Sequence, residues 1–143
     1  MAATFADVRR FAESEQGLCV AAVTRADGSV HASVVNAGPM AHPRGGQDVV
    51  AFVVRSDAVK LGRMQAVGRA SVTFRRSWRW VGVEGPCDIF GPGDSTVELP
   101  ALLRDIFRAA GGTHDDWNEF DRVMAAEERA GVLVYPDRIL GRP

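Results

Sequence analysis

A single lysine, Lys60, stands against sixteen arginines in this chain, and it follows a long apolar run. The segment Val-Val-Ala-Phe-Val-Val-Arg-Ser-Asp-Ala-Val-Lys, residues 49–60, reads as a strand ending in Arg55, a polar Ser-Asp step, and a helix whose first turn carries Lys60. A strand feeding a helix start gathers free backbone N–H groups, the positive end of a helix dipole and two cations around one point. That is the chemistry of an anion site. The same letters also suit a strand-to-helix corner with solvated cations, because no strict motif marks the step.

Self-contained catalytic machinery is not legible, and no catalytic residue is assigned. His31, His42 and His114 are scattered, with neither His-x-x-x-His nor Cys-x-x-Cys spacing, so no metal site is expected. Nucleophile elbow, Walker loop and dinucleotide fingerprint are all missing. His31 lies in an alternating run and reads as a half-exposed strand residue. Tyr135 could donate a proton or simply sit in the core or at its rim. Trp78 and Trp80, in Ser-Trp-Arg-Trp, could stack a planar ring, although core packing is their default. Cys19 and Cys87 fall in apolar runs and read as buried thiols, not as a disulfide framework. If the protein is an enzyme, a bound cofactor is expected to carry the chemistry.

Composition sets the frame. The chain has 143 residues, 46% hydrophobic and 24% charged, as expected of one ordinary globular domain spanning 1–143. No apolar run approaches the ~20 residues that span a bilayer, and the N-terminus lacks a signal-peptide layout. A cytoplasmic protein without a membrane partner is therefore expected. The net charge of −1 conceals an asymmetry: residues 44–79 hold eight cations and two acids, residues 80–143 six cations and twelve acids. A positive middle suits a local anionic ligand, not nucleic acid, which calls for a basic domain overall. The two halves could equally neutralise each other across a packed interface.

The elements that would position these residues follow from pattern. Thr4, with Asp7 three residues on, opens a helix with Phe5, Val8, Phe11 and Ala12 on its apolar face and Gly17 at its end. Residues 18–24 predict a strand, 25–28 a tight turn, and residues from Ser29 a second strand, with Asp27-Gly28 as the hairpin signal. Gly38-Pro39 is expected to break that strand ahead of a loop at 42–46. Residues 48–55 suit a central strand. A short helix with Val59, Met64 and Val67 at helical spacing would stop at Gly68. Residues 69–75 alternate cleanly, and 80–90 form a strand in which Gly85-Pro86 predicts a bulge or edge. Helices over 98–110 and about 115–128 are split by Gly111-Gly112, and 131–135 is a last strand. Repeats and linkers are not evident. Six or seven short strands with inserted helices point to a small antiparallel barrel, not a parallel sheet.

In this order, the hairpin, the apolar strand, Arg-Ser-Asp-Ala-Val-Lys, the alternating strand, Trp-x-x-Val-x-Gly and the terminal Val-Tyr-Pro-Asp-Arg-Ile-Leu-Gly resemble the pyridoxamine 5′-phosphate oxidase-like split-barrel superfamily. More closely they resemble its deazaflavin branch, the F420-dependent reductases of actinobacteria, over about residues 15–142. Leu-Arg-Asp-Ile-Phe-Arg-Ala-Ala-Gly-Gly before an Asp-Asp-Trp helix resembles members of that branch too.

The resemblance implies a mainly β fold with helices, a six- to seven-stranded antiparallel split β-barrel that works as a homodimer. It implies coenzyme F420 as cofactor, with FMN as the alternative. By position, Val53 and Val54 would meet the ring edge, Lys60 the phosphate, and Arg55 a basic position common in the deazaflavin branch. Ser33, Val34, Val35 and Asn36 would offer backbone contacts, and Trp80 would approach from the other subunit. Arg63, Arg44, Arg75 and Arg76 are candidates for the anionic tail. Oxidases using FMN commonly show Phe-Tyr-Thr and Ser-x-Lys where this chain has Phe52-Val53-Val54 and Ala58-Val59-Lys60, and Ser33 stands where they place an arginine. The implied activity is hydride transfer from reduced F420 to a planar, electron-poor small molecule. An FMN-dependent oxidase and a non-catalytic carrier are the alternatives.

Overall fold

The computed structural model describes residues 2–24, 27–56 and 68–143. Helix α1 (Phe5–Ser14) starts where expected, with the Asp7 carboxylate reaching back to the Thr4 amide at 2.8 Å. It buries Val8, Phe11 and Ala12. Strands β1 (Leu18–Thr24), β2 (Val30–Ala41), β3 (Asp48–Arg55), β4 (Arg69–Arg76) and β5 (Arg79–Phe90) follow. Helices α2 (Leu99–Ala109) and α3 (Trp117–Ala126) precede β6 (Arg129–Val134) and β7 (Arg138–Arg142). The helix expected over Val59, Met64 and Val67 lies outside the described residues.

The strands join in the order β4-β1-β2-β3-β6-β5, and β4 also pairs with β5, so six antiparallel strands close a barrel while β7 adds to β5. This is a split β-barrel. Two strands make closure possible by changing partners midway. Residues 30–36 of β2 pair with β1, and residues 37–41 pair with β3. Residues 79–86 of β5 pair with β4, and residues 87–90 with β6.

The β5 change falls at Gly85-Pro86 and the β2 change one residue ahead of Gly38-Pro39, which corrects one expectation and explains another. Gly38-Pro39 does not break β2. Beyond Asn36, β1 no longer pairs with β2, so at Pro39 one strand edge carries no ladder, the setting in which a strand proline is tolerated. Gly38 is needed for a second reason: a Cβ there would collide with the Ala109 carbonyl at the end of α2. Gly85-Pro86 marks the corresponding change in β5.

Trp78 corrects the expectation of core packing. It lies in the two-residue connection between β4 and β5, beside Ser77 at φ 54°, and is 92% exposed. Strand β7 answers a stretch that the pattern left unassigned; with only five residues and alternating partial exposure, it carries little apolar signal.

Two cores result. Inside the barrel, α1 packs with Val72, Phe74, Val81 and Val83 and with the inward residues Val50, Phe52 and Val54 of β3. Outside, the opposite face of β3 and β6 (Val49, Ala51, Leu133) is covered by Leu102, Leu103, Ile106 and Phe120 of α2 and α3. Gly131 lets this second layer close, since a Cβ there would lie 2.8 Å from Ile106 Cδ1.

Candidate functional site

The β2–β3 ladder stops at the pair Ala37–Phe52. Beyond it β2 follows β1 and β3 follows β6, so the facing edges of residues 34–36 and 53–54 separate. A cleft of about 540 Å³ occupies the gap, lined on the strand side by Val34, Val35, Asn36, Val53, Val54 and Arg55. Its opposite wall is helical and apolar: Ile106 and Phe107 from α2, Ala110 at the C-cap of that helix, Phe120 and Met124 from α3. Gln16, Gly112 and Arg129 complete the rim. The volume falls in the range of small-molecule and cofactor sites.

Aromatic packing stiffens that wall. Phe107 and Phe120 lie 5.0 Å apart between centroids, and Trp117 and His114 pack edge-on or tilted around them. Arg104 ties α2 to α3 through a two-pronged pair with Asp121, at 2.8 and 2.6 Å. The Arg104 hydrogen bonds hold the Asp121 carboxyl below the usual carboxylate range. On the strand side, Asn36 donates to the Gln16 carbonyl at 3.0 Å, closing one end of the cleft. An open strand edge facing an apolar wall suits a flat heteroaromatic ring, whose edge takes hydrogen bonds and whose face takes dispersion contacts. Arg55 and Arg129 add positive charge at the rim.

Six residues singled out from sequence, Val34, Val35, Asn36, Val53, Val54 and Arg55, thus meet in one cleft. Ser33 sits half-buried on β2, outside the lining. Lys60 and Arg63 lie outside the described residues. Arg44 is elsewhere: its guanidinium covers the Phe90 ring at 5.2 Å, and it does not line the cleft. Arg76 is tied to α1, donating to the Arg10 carbonyl at 3.4 Å over the Phe11 ring. The helical wall was not foreseen as part of a site; its apolar stripe has the same spacing as core.

Trp80 belongs to a different surface. It is paired with Arg75 on β4 and Arg142 on β7, and its ring lies against Gly82. The row Val34–Val20–Thr73–Gly82–Leu140 runs beside it across five strands. Val20, Val34 and Leu140 are exposed there, Val34 at 66%, together with Leu18 and Val30. Among the described residues these side chains form one exposed apolar face of the barrel.

A second polar cluster lies away from the cleft lining. His42 is buried, and its Nε2 lies 2.9 Å from Asp88 Oδ2, which also accepts from the Tyr135 hydroxyl at 2.6 Å. The Arg44 amide donates to His42 Nδ1 at 3.1 Å, so Nε2 carries the ring proton. The ring stacks on Tyr135 at 5.7 Å. Sequence reading left His42 in a loop and Tyr135 alone, and the 46 and 47 residues separating each from Asp88 carry no local signal.

No family model matches the sequence, and no curated protein matches it. Solved structures do match. A conserved hypothetical protein from Mycobacterium tuberculosis superposes with a TM-score of 0.72, at 17% identity, over 99% of this chain and 86% of its own. A pyridoxamine 5′-phosphate oxidase-related, FMN-binding protein from Nostoc punctiforme gives 0.62 at 11% identity, over 94% and 79%. An F420 reductase gives 0.58 at 17% identity, over 89% and 92%. The chain has the split-barrel fold that pyridoxamine 5′-phosphate oxidase-related proteins and an F420 reductase share.

Proposed function

We propose that this protein binds a flavin-type cofactor, coenzyme F420 in preference to FMN, in the cleft between β2, β3 and the α2–α3 pair, and reduces a small planar, electron-poor acceptor there. The observation that carries the reading is the interrupted β2–β3 ladder: two open strand edges facing an apolar wall across a cleft of about 540 Å³. Solved neighbours named as an FMN-binding protein and an F420 reductase support the cofactor class. When bound, the deazaflavin supplies hydride. Val53, Val54 and residues 34–36 would hold the ring edge, and the apolar side chains of Phe107, Phe120 and Met124 would keep water from the ring. Arg55, with Lys60 and Arg63 following in sequence, answers the anionic side chain. A second copy of the chain, seated on the exposed Val20–Val34–Leu140 face, would bring Trp80 toward the cleft and complete a homodimer.

The test mixes the purified protein with reduced F420 and a panel of quinone and nitroaromatic acceptors. Steady oxidation of the deazaflavin above the protein-free rate supports the reductase. Binding without turnover assigns a carrier, and turnover with reduced FMN alone reassigns the cofactor.

A further inference from the structure

The tip of the β4–β5 hairpin carries an indole and a group of guanidinium ions that the cleft does not use. Ser77 and Trp78 are the whole connection between the two strands, and Trp78 is 92% exposed. Arg76 and Arg79 form the ladder pair next to it. One row further in, Arg75 pairs with Trp80, which pairs on its other side with Arg142 of β7. Arg75, Arg76, Arg79 and Arg142 are all exposed, and among the described residues none of them pairs with an Asp or Glu side chain. Three donate to main-chain oxygens instead: Arg75 to Ser77 at 3.0 Å, Arg76 to Arg10 at 3.4 Å and Arg79 to Pro143 at 3.2 Å. Arg75 and Arg76, expected at the anionic tail of a cofactor, do not line the cleft. Like charges directly opposite on a ladder repel, so this grouping is stabilised by a negative partner from outside.

We propose that this tip docks on the surface of an anionic lipid bilayer, with the Trp78 indole among the headgroups and the arginines on their phosphates and carboxylates. An indole, apolar but with one N–H, suits the boundary between bilayer and water. Guanidinium forks suit headgroup phosphates, and a cluster of them is drawn to an anionic leaflet. The shape agrees: residues 75–79 are exposed without a break, so the tip can enter the headgroup layer with no groove. Single-stranded nucleic acid asks for a basic groove with several stacking rings, whereas the neighbouring Trp80 ring lies against Gly82. The net charge of −1 also disfavours nucleic acid, while at a bilayer only charges within a Debye length of the surface count. No helix among the described residues is long and apolar enough to cross a membrane, so the contact is with the surface. The expectation of no membrane partner came from the missing spanning run, which does not bear on surface docking. This inference is independent of what the cleft binds.

The parent, Trp78→Ala and the double variant Arg75→Gln, Arg79→Gln are sedimented with vesicles of phosphatidylglycerol and phosphatidylcholine in equal parts, and with vesicles of phosphatidylcholine alone. The parent should sediment with the anionic vesicles only, with a blue-shifted tryptophan emission, and raised salt should release it. Trp78→Ala should bind about tenfold more weakly or worse and lose the blue shift, at unchanged Tm because the side chain is exposed. The double variant should lose about fivefold for each arginine. No binding of the parent to anionic vesicles, or equal binding by all three proteins, overturns the proposal. So does a blue shift that follows protein concentration without vesicles, which assigns the tip to a second copy. Tighter binding of a single-stranded oligonucleotide than of the anionic vesicles overturns it as well and assigns the tip to nucleic acid.

Discussion

Replacing Tyr135 by Phe removes one hydroxyl from a cluster whose geometry sets the cost. That hydroxyl donates to Asp88 Oδ2 at 2.6 Å, and His42 shares the same oxygen at 2.9 Å. A hydrogen bond to a charged group contributes about 1.5–3 kcal/mol when sheltered. The Asp88 side chain is 35% exposed, so water screens part of it and about 1 kcal/mol is the expected loss. For a chain of this size that lowers Tm by about 3 °C.

The pH dependence has a definite sign. Burial pushes the Asp88 carboxyl up, but the hydrogen bonds from Tyr135 and His42 outweigh it and hold the group below its ordinary 3.8. A carboxyl held low in the fold adds stability that is whole above its unfolded value and fades as pH falls through the folded one. The difference between parent and Tyr135→Phe should therefore be constant from pH 5 to pH 8 and shrink below pH 3.8. The hydrogen bond to Asp88 also raises the Tyr135 hydroxyl above its ordinary 10.0, so that contribution is full below pH 10 and disappears as pH rises through the folded value. Urea midpoints at pH 3, 5, 7 and 8 measure it. A difference that persists undiminished at pH 3, or is nil at pH 7, would refute the assignment of a charged acceptor.

Gly38→Ala should cost about 1–3 kcal/mol in urea unfolding, because its methyl meets the Ala109 carbonyl and must push α2 off β2; an unchanged midpoint would mean that α2 is not docked there. Burial pushes the Cys87 thiol up to about 11, so at pH 8 it should react with iodoacetamide far more slowly than a free thiol. Alkylation at the free-thiol rate would contradict the packing around β5. Val20→Asp combined with Leu140→Asp should convert a dimer to a monomer in sedimentation, since both side chains lie on one exposed cross-strand row. A parent that sediments as a monomer at micromolar concentration removes the homodimer from the account.

The barrel was legible because its strands alternate or run apolar between turn residues. Residues 48–55 became β3 with the same bounds, and the Asp7 cap, the two late helices and the hairpin fell within a few residues of their places. The Gly38-Pro39 error has a physical cause. Local turn chemistry reports where a strand must bend or change partner, and only the topology decides whether it also ends. The same limit hid half of the cleft. Strand residues 34–36 and 53–55 were found through family resemblance, but Phe107, Phe120 and Met124 have the spacing of any buried helix face. Arg129 and Asp88 were missed because their partners, Arg55 in one case and His42 and Tyr135 in the other, come from segments far apart in the chain. Lys60, the residue from which the anion argument began, lies outside the described residues.

Fluorescence titration of coenzyme F420 into the parent protein and into Met124→Trp tests the cleft most directly. Met124 is half-buried on the helical wall of the cleft, so an indole there should occupy the space of the ring and leave the barrel untouched. The account predicts saturable binding by the parent, and at least tenfold weaker binding by the variant at unchanged Tm. Equal affinity in the two proteins, or no saturable binding by the parent with either F420 or FMN, would contradict it.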